Sequence, residues 1–360
     1  MNRWKVVMLL ILAFTLLIAG CSAMPNNQVK STQKTEVATN TTEKASSEKM
    51  TGSPVNVKMA TLSQGSSWYV YGATMANLFR KHLPDGSMVD VLPYSGGIGN
   101  VKLVAEKQAE LALTFSVNNK WAYEGKVAYD KTFNNISALA GGFDQYYVGI
   151  IWRNEFAEKY GLKTIKDLKE KKVPVRLMTV NVGSQGEFAA RQVFEANGLS
   201  YDEIKANGGS VTHTSFEVIQ SAFQDGQADM FIQVMTKGHP SFTEIALTTP
   251  VTFVSLDDDV IEKLKSYGNE AATLPAGVYK GQDQPVKTVG FPTTVIVAND
   301  FPEELAYQMT KVLAESKAEL EAGHKALSVF KPEDAWKPEK LGIPLHPGAE
   351  KYYKEKGWMK

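Results

Sequence analysis

The stretch VNVKMATLSQGSSWYVYGATMANLFRKH, Val55 to His82, reads as strand, loop and helix in turn. Val55 to Thr61 alternates like a strand. Ser63 to Ser67 is a loop of small polar residues, and Trp68 to His82 carries Met75, Leu78 and Phe79 at helical spacing. The grammar continues with a short strand over Met88–Leu92, the loop Ser95-Gly-Gly-Ile-Gly99, a helix over Asn100–Lys107 and a buried strand over Glu110–Phe115. Strands alternating with helices predict a parallel sheet with helices on its faces. The order returns later. Val173–Val180 is a strand, Asn181-Val-Gly-Ser-Gln-Gly186 a third small-residue loop, and Glu187–Ala196 a helix stopped near Gly198. Val211–Thr214, Phe216–Gln224 and Asp229–Val234 follow as strand, helix and strand. One local echo supports two lobes of like topology: Lys107-Gln-Ala-Glu110 and Gly226-Gln-Ala-Asp229 each stand between a helix and a strand.

Working outward, Pro250–Leu256 and Thr288–Ala298 read as late strands that return to the first lobe, and Phe301–Gly323 as one long amphipathic helix with Pro302 in its first turn. The tail, with Pro332, Pro338, Pro344 and Pro347, is expected to pack back on the body. The 306 residues from Val55 to Lys360 exceed the size at which one core keeps growing, so two lobes are expected. The boundaries read as lobe 1 over 55–145, lobe 2 over 146–248, return strands and the long helix over 249–330, and the tail over 331–360.

The amino terminus sets the expected compartment. Arg3 and Lys5 precede an almost unbroken apolar run from Val6 to Ile18, followed by Ile18-Ala-Gly-Cys21. Basic, apolar and small-residue segments in that order make a secretory signal over residues 1–20. The apolar run is short for a spanning helix, which needs about 20 residues. Cys21 is the chain's one cysteine, so it has no internal disulfide partner. The ending resembles a lipobox, which makes Cys21 a lipidation site on the outer face of the cytoplasmic membrane. Ser22 to Pro54 holds no aromatic residue and is rich in Ser, Thr, Asn, Lys and Glu. Residues 21–54 therefore read as a lipidated cysteine and flexible linker, with a reach of about 30 Å. The whole chain balances 39 basic against 39 acidic residues, and loss of Arg3 and Lys5 leaves the mature chain at −2. That charge speaks against a nucleic-acid surface.

Chemistry concentrates in the three small-residue loops. In a parallel α/β sheet such loops lie at the carboxyl ends of strands, where ligands bind. A helix start offers unpaired N–H groups and partial positive charge, glycine admits close approach, and serine adds a hydroxyl. Two lobes presenting such loops to each other could hold a small carboxylate without an arginine. The same residues also suit ordinary turns with serine as helix N-cap. Tyr69, Asn100, Ser116 and Gln233 stand close by as candidates for specificity. Enzyme signatures are absent. Val182-Gly-Ser-Gln-Gly186 has valine where a nucleophile elbow needs its first glycine. The five histidines lack metal-ligand spacing, and Asp257-Asp-Asp259 reads as a helix cap. No cofactor or metal is expected.

As a set the motifs resemble the TAXI solute receptors of TRAP transporters. Gly65-Ser-Ser-Trp-Tyr-Val-Tyr-Gly72 is similar to that family's opening motif, and Ser95-Gly-Gly-Ile-Gly-Asn100 to its Thr/Ser-Gly-Gly/Ser-x-x-Asn motif. Gly183-Ser-Gln-Gly186 falls where the family has Gly-Ser-Gly-Thr. Asp225-Gly-Gln-Ala-Asp229 and His346-Pro-Gly-Ala-Glu-Lys-Tyr-Tyr353 also look like family signatures. The resemblance implies a two-lobed, type II periplasmic-binding-protein fold, each lobe a mostly parallel sheet flanked by helices around a ligand cleft. It further implies capture of a small carboxylate such as glutamate or 2-oxoglutarate, and delivery by a monomer to a TRAP membrane permease. The contacts it implies are Ser66, Ser67 and Tyr69; Ser95, Gly97 and Asn100; Ser184, Gln185 and Gly186; and Ser116 near the cleft. Gln185 departs from the family's glycine, and Met230 and Gln233 occupy a stretch often filled differently. A sensory lipoprotein and a surface hydrolase are the competing readings, the latter weakened by the missing nucleophile, base and metal set.

Overall fold

The computed structural model describes residues 49–360; the signal segment, Cys21 and the linker up to residue 48 lie outside them. Two sheets organise the described chain. The first has the order β2-β1-β3-β12-β4, from β1 (Asn56–Leu62), β2 (Met88–Tyr94), β3 (Leu111–Phe115), β4 (Ile136–Gly141) and β12 (Thr293–Ala298). The second runs β10-β11-β5-β8-β6-β7, with β9 paired to β5. Its strands are β5 (Tyr146–Arg153), β6 (Arg176–Thr179), β7 (Ser210–His213), β8 (Met230–Met235), β9 (Val251–Phe253), β10 (Glu270–Leu274) and β11 (Val286–Phe291). The elements on the first sheet are called the first lobe below, and those on the second the second lobe.

Each sheet contains a parallel trio with the same order. In the first, β1 lies between an edge strand β2 and an inner strand β3. In the second, β6 lies between the edge β7 and the inner β8. The inner strands are wholly buried while the edges alternate or face solvent. The echo before β3 and β8 has a physical basis. Glu110 accepts the N–H of Lys58 at 2.7 Å, and its own N–H donates to the Lys58 carbonyl. Asp229 accepts the N–H of Arg176 at 2.8 Å and returns a bond to the Arg176 carbonyl. In both lobes one acidic side chain clasps the first strand to the third where the ladder begins.

Around these trios the sheets are mixed. Strand β12 runs antiparallel to β3 and β4, and β5 runs antiparallel to β8, β9 and β11. Tyr146 to Trp152 reads as an unbroken apolar run because β5 is covered on both faces. Val148, Ile150 and Trp152 join the main core, whereas Tyr147 and Ile151 join a second cluster with Phe216, Phe223, Phe231 and Phe242.

Three sequence expectations are corrected. Pro250–Leu256 does not return to the first sheet: β9 pairs with β5 in the second, where β11 also pairs with β5 and carries β10 at the edge. Residues 249–291 therefore belong with the second lobe, because an apolar strand carries no mark of which sheet will pair with it. Thr288–Ala298 is two strands parted at Pro292, which has no N–H to extend a ladder. Phe301–Gly323 is two helices, Glu303–Glu315 and Lys317–Gly323, broken at Ser316, and Pro302 is the cap before the first.

The strands cross between sheets twice, over residues 142–145 and at Pro292. Asp144 ties the crossings together. It accepts the Tyr71 hydroxyl at 2.7 Å and the Thr293 N–H at 3.2 Å. Burial pushes its carboxyl up to about 6, against the opposing pull of these hydrogen bonds. The tail closes over the first lobe. Ala138 exchanges backbone bonds with Pro344 and His346, and Tyr353 donates to the Leu139 carbonyl at 3.1 Å.

Candidate functional site

Three helices begin where the two lobes meet. Helix α1 (Ser67–His82) follows β1, α2 (Gly97–Ala105) follows β2, and the helix Gln185–Ala196 follows β6. Ser66 caps α1 by accepting the Tyr69 N–H at 3.2 Å; Ser184 caps its helix by accepting the Glu187 N–H at 3.2 Å. The N-cap of α2 is Gly96, which has no side chain to cap it. The starts surround a cavity of about 10 Å³ lined by Ser95, Gly96, Gly97, Ser184, Gln185 and Gly186, over Leu62, Trp68, Phe115, Tyr146 and Val234. That is room for about one water molecule. Trp68, Phe115 and Tyr146 form its aromatic wall, with Trp68 and Phe115 centroids 4.3 Å apart. Burial pushes the Tyr146 phenol well above its usual range, so it stays neutral.

The lobes are closed on each other. Gly97 has φ +42°, and a Cβ there would come within 2.6 Å of the Gln185 Cβ. Asn118, on helix α3 (Ser116–Glu124), donates to Gln185 Oε1 at 2.6 Å across the gap. Ser241 Oγ donates to the Gly65 carbonyl at 2.9 Å, and Trp121 Nε1 to the Tyr267 carbonyl at 2.6 Å. Within the second lobe, the Gln233 side chain lies against Gly186 and leaves no space for a Cβ.

Closure leaves polar atoms without partners. Gln185 Nε2, Gln233 Nε2 and Asn118 Oδ1 are buried and unbonded, and their residues are at most 2 % exposed. A buried, unpaired amide costs about 1–3 kcal/mol. These groups lie beside three helix starts, whose free N–H groups carry partial positive charge.

Of the residues the sequence nominated, Ser95, Gly97, Ser184, Gln185 and Gly186 meet at the cavity. Ser67 is buried beside Tyr146, where its hydroxyl approaches the phenol without a hydrogen bond of regular geometry. The others lie off the lining. Ser66 also donates to the Ser63 carbonyl at 2.7 Å, which commits its hydroxyl to the loop. Tyr69 is half-buried, and its hydroxyl accepts from Gln64 at 3.4 Å. Asn100 is fully buried and donates to the carbonyls of Ala60, Thr61 and Leu113, which pins α2 to β1 and β3. Ser116 opens α3, not the end of β3, and packs against Gly342 of the tail. Residues the sequence did not nominate are Asn118, Trp68, Phe115 and Tyr146. Trp68 adjoins the first loop and could have been suspected; the rest carry no local signal. Asp257, Asp258 and Asp259 pair with Lys166 and Lys287 at the surface. Among the described residues no group of His, Cys, Asp and Glu is arranged to hold a metal, and no helix is long and apolar enough to cross a membrane.

Larger hollows lie elsewhere, among them one of about 530 Å³ around Thr249 and Lys280 and one of about 280 Å³ around Asp144 and Lys340. Two more stand apart from these. One, of about 550 Å³, lies between α3 and the tail around Trp336; the other, of about 430 Å³, is at the opposite end of β6 and β8 around Arg153 and Arg176. None of their walls includes a buried side-chain amide left without a partner, whereas Gln185 supplies one to the small interlobe cavity, which is therefore the better candidate.

The sequence matches the NMT1-like family over residues 59–357. Among solved structures the fold is similar to that of MatC from Rhodopseudomonas palustris with bound malate, at 12% identity. The match covers 85% of this chain and 98% of that chain, with a TM-score of 0.52. The periplasmic binding protein BugD is similar at 13% identity over 85% of this chain and 95% of that chain, with a TM-score of 0.51. These likenesses establish an α/β, periplasmic-binding-protein architecture.

Proposed function

Because the chain belongs to the NMT1-like family, we propose that it is a solute receptor, not an enzyme, that captures a small carboxylate by lobe closure. The observation that carries this is the convergence of three helix starts and the unpartnered Gln185 amide on one interlobe cavity, with Gln233 behind Gly186. A carboxylate entering an opened cleft would accept from those groups and reunite the lobes around itself. The malate held by MatC within a similar fold supports the ligand class. The motifs shared with the TAXI receptors support delivery to a TRAP-type permease, and the order of residues 1–21 supports an exported form tethered through Cys21.

Binding stabilises only the folded state, so the right carboxylate should raise the melting temperature of the purified protein. A panel of oxo, hydroxy, amino and dicarboxylic acids that produces no shift would remove the proposal. Ser184→Trp is expected to fill the cavity and abolish the shift while the unliganded protein stays folded. Retained affinity in that variant would place the ligand elsewhere. Metabolic labelling with a radioactive fatty acid tests the tether, which Cys21→Ala should eliminate.

A further inference from the structure

The cavity has a free amide donor and three helix starts in its surroundings and contains no carboxylate. No Asp or Glu lines it. The buried carboxylates on adjoining elements are committed elsewhere. Asp144 accepts from Tyr71 and Thr293, and Glu187 is paired with Arg191 at 2.7 Å, with His213 at 3.8 Å. Of the free buried atoms beside it, Gln185 Nε2 and, behind Gly186, Gln233 Nε2 are donors, and Asn118 Oδ1 is a neutral acceptor. Gln185 and Asn118 share one hydrogen bond, so the pair keeps one donor and one acceptor free whichever way the two amides are turned. Three helix starts add partial positive charge to the same space. An ammonium group brought here would be stripped of water, repelled by the helix starts and left without an anionic partner.

We infer that the receptor takes a small carboxylate without an ammonium group, such as an oxo acid, a hydroxy acid or a simple dicarboxylate, and rejects the α-amino acid of the same skeleton. Gln185 is the specificity-determining residue: its amide meets the oxygen substituent and occupies the space an ammonium group would need. The inference rests on the carboxylate-receptor reading above and narrows it.

Matched pairs decide it. The purified protein, unfolded and refolded to release any carried ligand, is titrated calorimetrically with 2-oxoglutarate and glutamate, malate and aspartate, and pyruvate and alanine. The ammonium-free member of at least one pair should bind at least about 100-fold more tightly than its partner. An amino acid that binds as tightly as its partner, or more tightly, overturns the inference while the receptor reading stands. If none of the six acids binds, both fall. Gln185→Glu, which places a carboxylate beside Asn118, should shrink the ratio by about tenfold or more. An unchanged ratio in a variant of unchanged melting temperature removes Gln185 from its role.

Discussion

The trios β2-β1-β3 and β7-β6-β8 are the same frame built twice, and they differ where they face each other. In each, a serine caps the helix after the middle strand and an acidic residue clasps the middle strand to the inner one. The helix that follows the edge strand of each trio departs from this likeness. In the first lobe it begins with Gly96 and Gly97, uncapped and open to the cleft. In the second lobe Ser215 caps the helix Phe216–Gln224, and Phe216 goes into the apolar core. The shared features build the frame, and the difference lies at the face turned to the cavity. At the cavity the first lobe presents the glycine start of α2 and Trp68 of α1, and the second presents Ser184, Gln185 and Gly186.

The largest expected effect breaks the comparison at that point. Gly97→Val puts a branched side chain with φ +42° against Gln185, while the structurally equivalent Phe216 is already bulky. Binding of the best carboxylate should weaken by on the order of 100-fold, or about 3 kcal/mol, measured by calorimetry. Wild-type affinity in this variant would mean that the two helix starts do not differ in function.

Asp144 comes next, since it sits on a crossing and belongs to neither trio. Its folded-state value is raised from 3.8 to about 6, so the fold favours the protonated carboxyl. The associated stability is fully present below about pH 4 and is lost as pH rises to about 6. The groups facing it, Tyr71, Tyr146 and Tyr147, are phenols that burial holds neutral there. Relative to Asp144→Asn, the wild type should lose about 2–3 kcal/mol of unfolding free energy between pH 4 and 7. Parallel pH profiles for the two proteins would show that Asp144 does not titrate in this range.

Smaller effects test the likeness itself. Asp229 is 5 % exposed and is bonded to both the backbone and the guanidinium of Arg176, whereas the Glu110 clasp reaches only backbone. Asp229→Ala should cost about 2 kcal/mol in urea unfolding and Glu110→Ala about 1 kcal/mol or less. Equal costs would mean that the Arg176 pair adds nothing. Finally, Ser66→Ala and Ser184→Ala should each lower stability by about 1 kcal/mol as lost caps. Only Ser184→Ala should also weaken binding, because only Ser184 lines the cavity.

The trios were legible in the sequence because apolar period and small-residue loops are local signals. Even the four-residue echo marked a real clasp, since an acid one step before the inner strand reaches the neighbouring backbone. Pairing was less legible. β9, β10 and β11 look like any other strands, and only the chain reversals that bring β5 beside β9 and β11 place them in the second sheet. The site was legible as loops and not as contacts. Gln185 could be named from its loop, but Asn118, its partner 67 residues earlier, becomes relevant only once the lobes meet. Asn100 misled for the opposite reason. An amide after a glycine loop looks poised for a ligand, and here it ties three backbone carbonyls together.

The two indoles at the lobe boundary give the molecule an optical property. Trp68 donates to Thr293 at one strand crossing and walls the cavity, while Trp121 donates to a carbonyl of the opposite lobe. Opening would carry Trp121 from a buried amide environment into water, and its emission would move to longer wavelength. The protein thus carries its own fluorophore for closure, and guest binding could be timed by stopped flow with no label attached.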